Sequence, residues 1–158
     1  MRLAIHGQTR TYACQKQHTI NVILQTNLNA KFLEERDAIT PHIRSGKFPD
    51  TVLNDKNQKL RNSFRAILNH YEFIAAGLRN GDFDEKLVRD SEGSTYIYLY
   101  KYCEPYIWKL RDSRKRMTIY EHLEWLTKRW DSGKPPLWQR LIERMTQRPF
   151  YGASGKST

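Results

Sequence analysis

The chain has few cysteines, no long apolar run and only modest amounts of glycine and proline. Cys14 and Cys103 are its two cysteines and no C-x-x-C spacing occurs, which predicts reduced thiols and neither a disulfide framework nor a zinc site. No segment approaches the roughly 18 apolar residues of a membrane span, and the opening MRLAIHGQTRTYACQKQH lacks the apolar core of a signal peptide. We therefore expect a cytoplasmic protein that uses no metal and no cofactor.

Aromatic residues and positive charge are what the chain has in quantity. At 158 residues it is long enough for one domain with a real core, to which four Trp, nine Tyr and six Phe can contribute. The net charge of +10 is uneven: residues 1–100 carry 14 Lys and Arg against 11 Asp and Glu, and residues 101–158 carry 13 against 6. Such clustering attracts phosphate backbones or acidic protein surfaces without choosing between them, and an ordinary solvated helix surface is the alternative.

Residues 60–85, LRNSFRAILNHYEFIAAGLRNGDFDE, carry the clearest structural signal. Steps of four and three place apolar side chains in one stripe of a helix that runs from about Asp55 to Asn80. The stripe consists of Leu60, Phe64, Ile67, Tyr71, Ile74 and Leu78. Asn80-Gly81 then predicts a left-handed stop, and Asp82 with Glu85 is typical of the capping box of a following helix. We therefore predict an αα-hairpin at residues 55–104.

The remaining pattern predicts a single all-α domain, a bundle of five or six helices. Tyr96 to Tyr102 alternate with period two, as in a strand, but a lone strand would have no partner, so we favour helix. Further helices are expected from near Thr19 to before Pro41, from a Thr118–Glu121 capping box to Gly133, and from Pro136 to before Pro149. The predicted division is an N-terminal extension (1–18), the helical domain (19–148) and a flexible tail (149–158).

Glu72 breaks the pattern of the stripe helix. It lies about 120° from the stripe centre at 100° per residue, and no cation lies three or four residues away. Its partner should come from another element, as a structural ion pair or capping contact that fixes helix docking, and Arg111 is our candidate for this clamp. A catalytic or ligand-binding carboxylate is the alternative.

Two short patterns suggest chemistry only weakly. Arg65 and His70 have the R-x-x-x-x-H spacing of the helical ribonucleases called HEPN domains, but five residues turn a helix by about 500°, which leaves the two side chains about 140° apart. Asp82, Asp84 and Glu85 cluster three carboxylates, a pattern that favours helix capping over a divalent-ion site. We therefore predict no catalytic residue and no metal ligand.

Tyrosines 96–106 and Trp108 lead directly into the basic run KLRDSRKR at residues 109–116. Aromatic rings beside guanidinium groups suit single-stranded nucleic acid or a protein hot spot, although each ring taken singly belongs more often in a core. The predicted partner-binding residues are Tyr98, Tyr102, Trp108, Lys109, Arg111, Arg114, Lys115, Arg116, Lys128 and Arg129.

The segment NHYEFIAAGLRNGDFDE, with PYI at 105–107, Arg111 and the later YEHLEWL, resembles an uncharacterised bacterial and phage all-helical family, domain-of-unknown-function family four-seven-six-zero. The resemblance spans roughly residues 55–130. The matching positions are Asn69, Glu72, Phe73, Ile74, Ala75, Gly77, Gly81, Asp82, Asp84, Glu85, Pro105, Tyr106, Ile107, Arg111 and Glu124. The resemblance implies an all-helical domain. Members often carry membrane-spanning helices ahead of this region, whereas we expect this chain to be a version without them. The resemblance implies no chemistry.

These observations lead to a hypothesis of function. We expect a non-enzymatic binding protein that engages an acidic protein surface or nucleoprotein complex through its basic, aromatic C-terminal third. The resemblance suggests a phage or mobile-element inhibitor of a host antiviral complex. Direct nucleic-acid binding is the alternative, and a HEPN-like ribonuclease is a third hypothesis. The sequence does not predict an oligomeric state.

Overall fold

The computed structural model describes residues 3–131, with side-chain surroundings from residue 12 onward. Over residues 3–131 the backbone forms six helices and no strand, which confirms the all-α prediction. The helices are α1 (Leu3–Leu28), α2 (Ala30–Arg44), α3 (Asp50–Leu53), α4 (Gln58–Asn80), α5 (Glu85–Arg114) and α6 (Glu121–Trp130). Within residues 3–131, no helix has the length and apolar character needed to cross a membrane.

Helix α4 is the centre of the bundle, with α2 packed along one flank and α6 along the other. All six residues of its predicted apolar stripe are buried. Tyr71 of the stripe meets Tyr96 of α5 edge-on, with ring centroids 4.6 Å apart, and Tyr96 in turn contacts Trp130 of α6. These aromatic contacts join α4, α5 and α6 in one core.

The α4–α5 hairpin is confirmed, including its left-handed stop at Gly81 (φ 82°). The Gly81 N–H donates to the Leu78 carbonyl at 3.2 Å, and the Asp82 N–H donates to the Gly77 carbonyl at 2.8 Å, which closes the end of α4. The predicted capping box at Asp82 is wrong. Asp84 caps α5 instead, because its Oδ1 accepts the Leu87 N–H at 3.0 Å.

Helix α5 includes the tyrosine-rich segment, so the preference for helix over strand is confirmed. It continues beyond residue 104 to Arg114, because Pro105 lies on the exposed face and leaves the rest of the helical hydrogen bonding in place. Tyr98 is 52% exposed, whereas Tyr102 is buried with its hydroxyl donating to the His42 and Lys47 carbonyls at 2.7 and 2.9 Å.

The predicted first helix is wrong at both ends. Helix α1 begins at Leu3 and not near Thr19, so the predicted limit between residues 18 and 19 falls inside a helix. The predicted helix is interrupted at Asn29, which has an extended backbone. The Asn29 side chain accepts the Phe32 N–H at 2.9 Å and so caps α2. Pro41 does not end α2, which continues to Arg44. The predicted helix at 136–148 and the tail at 149–158 lie outside the described residues.

Two polar side chains fasten α1 to the α4–α5 turn. Thr19 is buried, and its hydroxyl accepts the Asp84 N–H at 2.8 Å. The Gln15 amide donates to the carbonyl oxygens of Gly81 and Phe83, at 2.5 and 3.2 Å. The turn predicted from Gly81 therefore also serves as the attachment point of the first helix.

Candidate functional site

Glu72 makes a contact with another element, and its partner is backbone. Its Oε1 accepts the His122 N–H at 3.1 Å and its Oε2 accepts the Leu123 N–H at 2.7 Å. Helix α6 begins after Tyr120, which has a left-handed backbone (φ 56°) and no capping side chain of its own. The predicted capping box of Thr118 and Glu121 is therefore wrong, and a carboxylate from α4 satisfies the first amides of α6.

Arg111 is neither the partner of Glu72 nor a surface residue, so both predictions made for it are wrong. It is 2% exposed and forms an ion pair with Glu124, Nη1 to Oε2, at 2.7 Å. Its Nε donates to the Ile119 carbonyl at 2.9 Å. Lys128 and Arg111 together hold the pKa of Glu124 below its usual range. Arg111 therefore fastens the end of α5 to α6.

The predicted binding residues do not form one surface. Tyr102 is buried in the core, which corrects its assignment to that surface. Lys109 is partly buried and donates to the Leu53 carbonyl and, at 2.9 Å, to Asp55 Oδ2. The Lys109 contact lowers the pKa of Asp55. These two side chains hold the fold together, because their polar groups are engaged by other elements of the same chain.

The two predicted binding residues of α6, Lys128 and Arg129, form ion pairs with acidic side chains of the same chain. Lys128 Nζ lies 2.6 Å from Glu124 Oε1, and Arg129 Nε donates to Glu85 Oε1 at 2.7 Å. The same Glu85 oxygen accepts the Trp130 Nε1–H at 2.9 Å, and Arg129 lowers the pKa of Glu85. Both cations stay exposed, but much of their charge is offset locally.

The other predicted binding residues are exposed, and they lie along the last half of α5 and in the loop after it. Trp108 and Tyr98 are 47% and 52% exposed. Lys115 is exposed and pairs with Asp112 of its own helix at 2.8 Å. Arg114 and Arg116 are also exposed, and they reach a pocket that also involves α4.

That pocket has a volume of about 280 Å³ and is open to solvent. Three cations from different parts of the chain line it: Arg65 of α4, Arg114 of α5 and Arg116 of the α5–α6 loop. We call it the arginine pocket, and its full lining is Arg65, Asn69, Glu72, Leu110, Arg114, Arg116, Thr118, Ile119 and Tyr120. It is the strongest candidate site within residues 12–131, because uncompensated positive charge meets hydrogen-bond donors in a concavity.

Local backbone geometry explains how two arginines of one short segment reach the same pocket. Lys115 has a left-handed backbone (φ 50°) and ends α5, and the Arg116 N–H donates to the Arg111 carbonyl at 3.0 Å. The chain therefore turns back between Arg114 and Arg116. Asn69 of α4 also lines the pocket, and its Oδ1 accepts the Tyr120 hydroxyl proton at 3.0 Å. Its amide nitrogen has no hydrogen-bond acceptor among the described residues and can serve as a donor.

One protein family, described as "Domain of unknown function (DUF4760)", matches residues 3–130. This chain belongs to the DUF4760 family. Comparison with curated proteins and with solved structures finds no match. The family match includes α1 and α2, which precede the segment of the sequence resemblance, and it contains every residue of the arginine pocket.

In this chain the fold separates Arg65 from His70. Arg65 lines the arginine pocket, whereas the His70 ring packs on Phe32 with centroids 4.6 Å apart and its Nε2 lies 3.4 Å from Thr26 Oγ1. His70 and Glu92 line a different, small cavity of about 10 Å³ between α1, α4 and α5. Burial lowers the pKa of His70 and raises that of Glu92. One chain therefore does not bring the HEPN-type pair together.

The sequence analysis does not include Arg65 and Asn69 among the predicted binding residues, although both line the arginine pocket. The signal was present, because Arg65, Asn69 and Glu72 follow a spacing of four and three on one flank of α4. Three polar residues at that spacing indicate that this flank of α4 faces a polar environment. No group of three or more potential metal ligands occurs within the described residues.

Proposed function

We propose that this DUF4760 protein is a non-enzymatic binding protein that engages an acidic partner, either a protein surface or a nucleoprotein complex, through the arginine pocket and its rim. The observation that carries the proposal is the convergence of Arg65, Arg114 and Arg116 on one open concavity. Over the described residues, none of the three takes part in an ion pair. Their charge is available to a partner.

The position of these cations supports recognition rather than fold stability. Within residues 101–131, every other Lys and Arg pairs with an acidic group of the same chain, as Lys128 and Arg129 do. Clustered positive charge with no internal counter-charge speeds encounter with acidic partners and adds specificity, and its effect falls as salt rises. Exposed Trp108 and Met117, at 47% and 60%, could add apolar contact beside the charge.

The hypothesis that the protein is a phage or mobile-element inhibitor of a host antiviral complex remains a prediction that rests on the family resemblance. A cytoplasmic location is proposed with it. Neither is needed for the binding proposal, which depends on the charges of the pocket alone.

The test compares the wild-type protein with the double variant Arg114→Ala/Arg116→Ala in affinity capture from bacterial lysate at low salt. A matched control is Lys86→Ala/Arg89→Ala, which removes the same charge near the other end of α5, about 40 Å away at 1.5 Å per residue. We expect the wild type and the control to retain a specific partner that the double variant loses. Capture from nuclease-treated lysate separates protein partners from nucleic acid.

Two results would contradict the proposal. The wild-type protein could retain no specific partner at low salt, or the double variant could retain the same partner as strongly as the control. Circular dichroism of all three proteins shows whether the helices remain intact, so a folding defect is recognised directly.

Direct nucleic-acid binding is the second candidate, favoured by the neutral donors Asn69 and Thr118 beside the arginines. Arginine, asparagine and threonine are residue types that commonly contact phosphate groups. This candidate predicts that the logarithm of affinity for a single-stranded oligonucleotide falls linearly with the logarithm of salt concentration. Removal of Arg114 and Arg116 should reduce that slope by roughly one for each lost phosphate contact. An unchanged slope would exclude it.

A further inference from the structure

The arginine pocket brings three guanidinium groups together, and none of them forms an ion pair within the described residues. Arg65 is partly buried on α4, and Arg114 of α5 and Arg116 of the following loop line the same pocket. Like charges held in one concavity repel one another, so the empty site is electrostatically unfavourable. An anion that binds among them relieves this repulsion, and guanidinium groups favour planar, two-point contacts to oxyanions.

Neutral donors complete the polar half of the pocket. The amide oxygen of Asn69 is occupied by the Tyr120 hydroxyl, so the amide nitrogen can donate to a ligand. Thr118 lines the same pocket. The only carboxylate of the lining, Glu72, already accepts two backbone N–H groups of α6, at 3.1 and 2.7 Å. Its charge is therefore directed at the helix end and not at the pocket centre.

Tyr106 carries a buried hydroxyl that does not belong to the lining of the pocket. Tyr106 is 1% exposed, and its Oη lacks a hydrogen-bond partner within the described residues. Burial raises the pKa of Tyr106, and the charges of Arg65, Arg61 and Arg114 oppose that rise. The hydroxyl therefore lies within electrostatic reach of the same guanidinium groups. An unpaired buried donor is costly, but because Tyr106 does not line the arginine pocket, a ligand there is not expected to contact this hydroxyl directly.

Part of the lining of the pocket is apolar. Leu110 and Ile119 line it together with Tyr120. The volume of about 280 Å³ lies near the lower limit of small-ligand pockets, which begin at roughly 300 Å³. A lone phosphate would leave the apolar wall uncovered, whereas a phosphate that carries a flat or apolar group would cover both halves.

We propose that the arginine pocket binds a nucleotide, with the phosphate on the guanidinium groups and the base or sugar against Leu110 and Ile119. The inference rests on the proposed function and deepens it, since it names the chemical group that the acidic partner presents. A free nucleotide and a nucleotide unit of a nucleic-acid strand offer the same group. The experiment therefore includes both sources.

The decisive variant is Asn69→Asp, which keeps the acceptor for Tyr120 but replaces a donor with negative charge inside the pocket. Its matched control is Asn62→Asp, the same change on an exposed position of α4 that does not line the pocket. Both variants alter net charge equally. A difference between them therefore reports the pocket and not the overall charge of the protein.

The measurement is a two-dimensional amide NMR titration with 5′-AMP, adenosine, a short single-stranded oligonucleotide and polyglutamate. We expect 5′-AMP to shift the Asn69 side-chain and Thr118 backbone signals and adenosine to bind about tenfold more weakly or not at all. Asn69→Asp should weaken 5′-AMP by about tenfold or more, because one donor is lost and one repulsive charge is gained. Asn62→Asp should leave it unchanged. Tighter binding of the oligonucleotide than of 5′-AMP identifies a strand as the source, and the reverse identifies the free nucleotide.

Three results would overturn the inference. If adenosine binds as tightly as 5′-AMP, or if Asn69→Asp binds 5′-AMP like the wild type, the phosphate is not held in this pocket. If polyglutamate shifts the same signals as strongly as 5′-AMP, the pocket does not select phosphate, but the proposed binding of an acidic partner stands. If none of the four probes shifts them, the nucleotide inference fails, and the lysate capture independently decides the proposed function.

Discussion

Glu72 stabilises the contact between α4 and α6 because one carboxylate accepts two backbone N–H groups at the start of α6. Replacement by Gln removes the negative charge and turns one acceptor into a donor that faces an N–H group. We expect Glu72→Gln to lower the free energy of unfolding by about 1–2 kcal/mol, the range of a lost helix cap. Urea denaturation followed by tryptophan fluorescence measures it, since Trp125 and Trp130 lie on α6.

The matched control for this prediction is Glu121→Gln. Glu121 is also a carboxylate in the first turn of α6, but it is exposed. The change should fall within about 0.5 kcal/mol, as is usual for surface positions. Equal effects of the two substitutions would mean that Glu72 acts only through its general charge and not through the two hydrogen bonds.

His70 should make stability depend on pH. Burial lowers its pKa in the folded state below the unfolded value of 6.5, so the unfolded chain binds the proton first as pH falls. The contribution of neutral His70 to the free energy of unfolding is therefore complete above about pH 6.5. It is lost as pH falls from there through the lower pKa of the folded state. Relative to His70→Gln, the wild-type protein should lose stability between pH 7 and pH 5, as measured by urea midpoints.

Glu92 lies in the same cavity and should have the opposite effect on the pH dependence of stability, because burial raises its pKa. The folded state binds this proton at higher pH than the unfolded chain, so falling pH through the folded pKa stabilises the protein. Glu92→Gln should therefore steepen the loss of stability at low pH. If the stability of His70→Gln falls with pH in parallel to that of the wild-type protein, His70 is not the cause of the loss of stability at low pH.

At the scale of elements, the α4–α5 hairpin is held by a close approach between Gly77 and Phe83. A Cβ at Gly77 would lie 2.3 and 2.6 Å from two carbons of the Phe83 ring, which is buried. We expect Gly77→Ala to destabilise by about 1–3 kcal/mol through overpacking. That loss should outweigh the gain of about 1 kcal/mol from better helix propensity. Thermal unfolding by circular dichroism measures the difference.

Two controls separate overpacking from helix propensity. Gly93 is also a helical glycine and is buried, but a Cβ there would first meet the flexible Arg89 side chain at 3.3 Å, so Gly93→Ala should be close to neutral. In a Phe83→Leu background, the penalty of Gly77→Ala should shrink because the ring is gone. An undiminished penalty would show that the contact with Phe83 is not its cause.

At the scale of the whole molecule, the formal net charge of +10 opposes compaction, and the arginine pocket concentrates this repulsion. We expect the urea midpoint to rise when ionic strength increases from 0.01 to 0.15 M, since the screening length falls from about 30 to about 8 Å. Arg114→Gln/Arg116→Gln should exceed the wild type in stability at low salt, and the difference should shrink at high salt.

Lys86→Gln/Arg89→Gln is the control for the ionic-strength prediction because it removes the same net charge elsewhere. Lys86 is paired with Asp90, so its loss should bring little gain in stability. A destabilised pocket variant at low salt would mean that the arginines contribute to the fold and do not repel one another there.

Local signals in the sequence were sufficient for the all-α class and the central α4–α5 hairpin. The apolar stripe of α4 and the left-handed stop at Gly81 depend on residues within one or two turns, and helix periodicity reads them correctly. The start of α1 and the break at Asn29 were missed, because residues 3–18 have a weak apolar pattern and a single capping Asn carries the break. Capping side chains near α5 and α6 were misassigned for a related reason, since several carboxylates and hydroxyls compete for each helix end.

The sequence by itself determined an all-α bundle, its central hairpin and an excess of positive charge toward the C-terminus. Only the tertiary structure decided which charges remain available. Glu72 meets α6 across 50 and 51 residues of chain and Tyr120 orients Asn69 across 51, contacts that depend on how the helices pack. The same packing buries Arg111, engages Lys109, and brings Arg65 beside Arg114 and Arg116. Periodicity places a side chain on a face of its helix, but which element covers that face is settled by the fold as a whole.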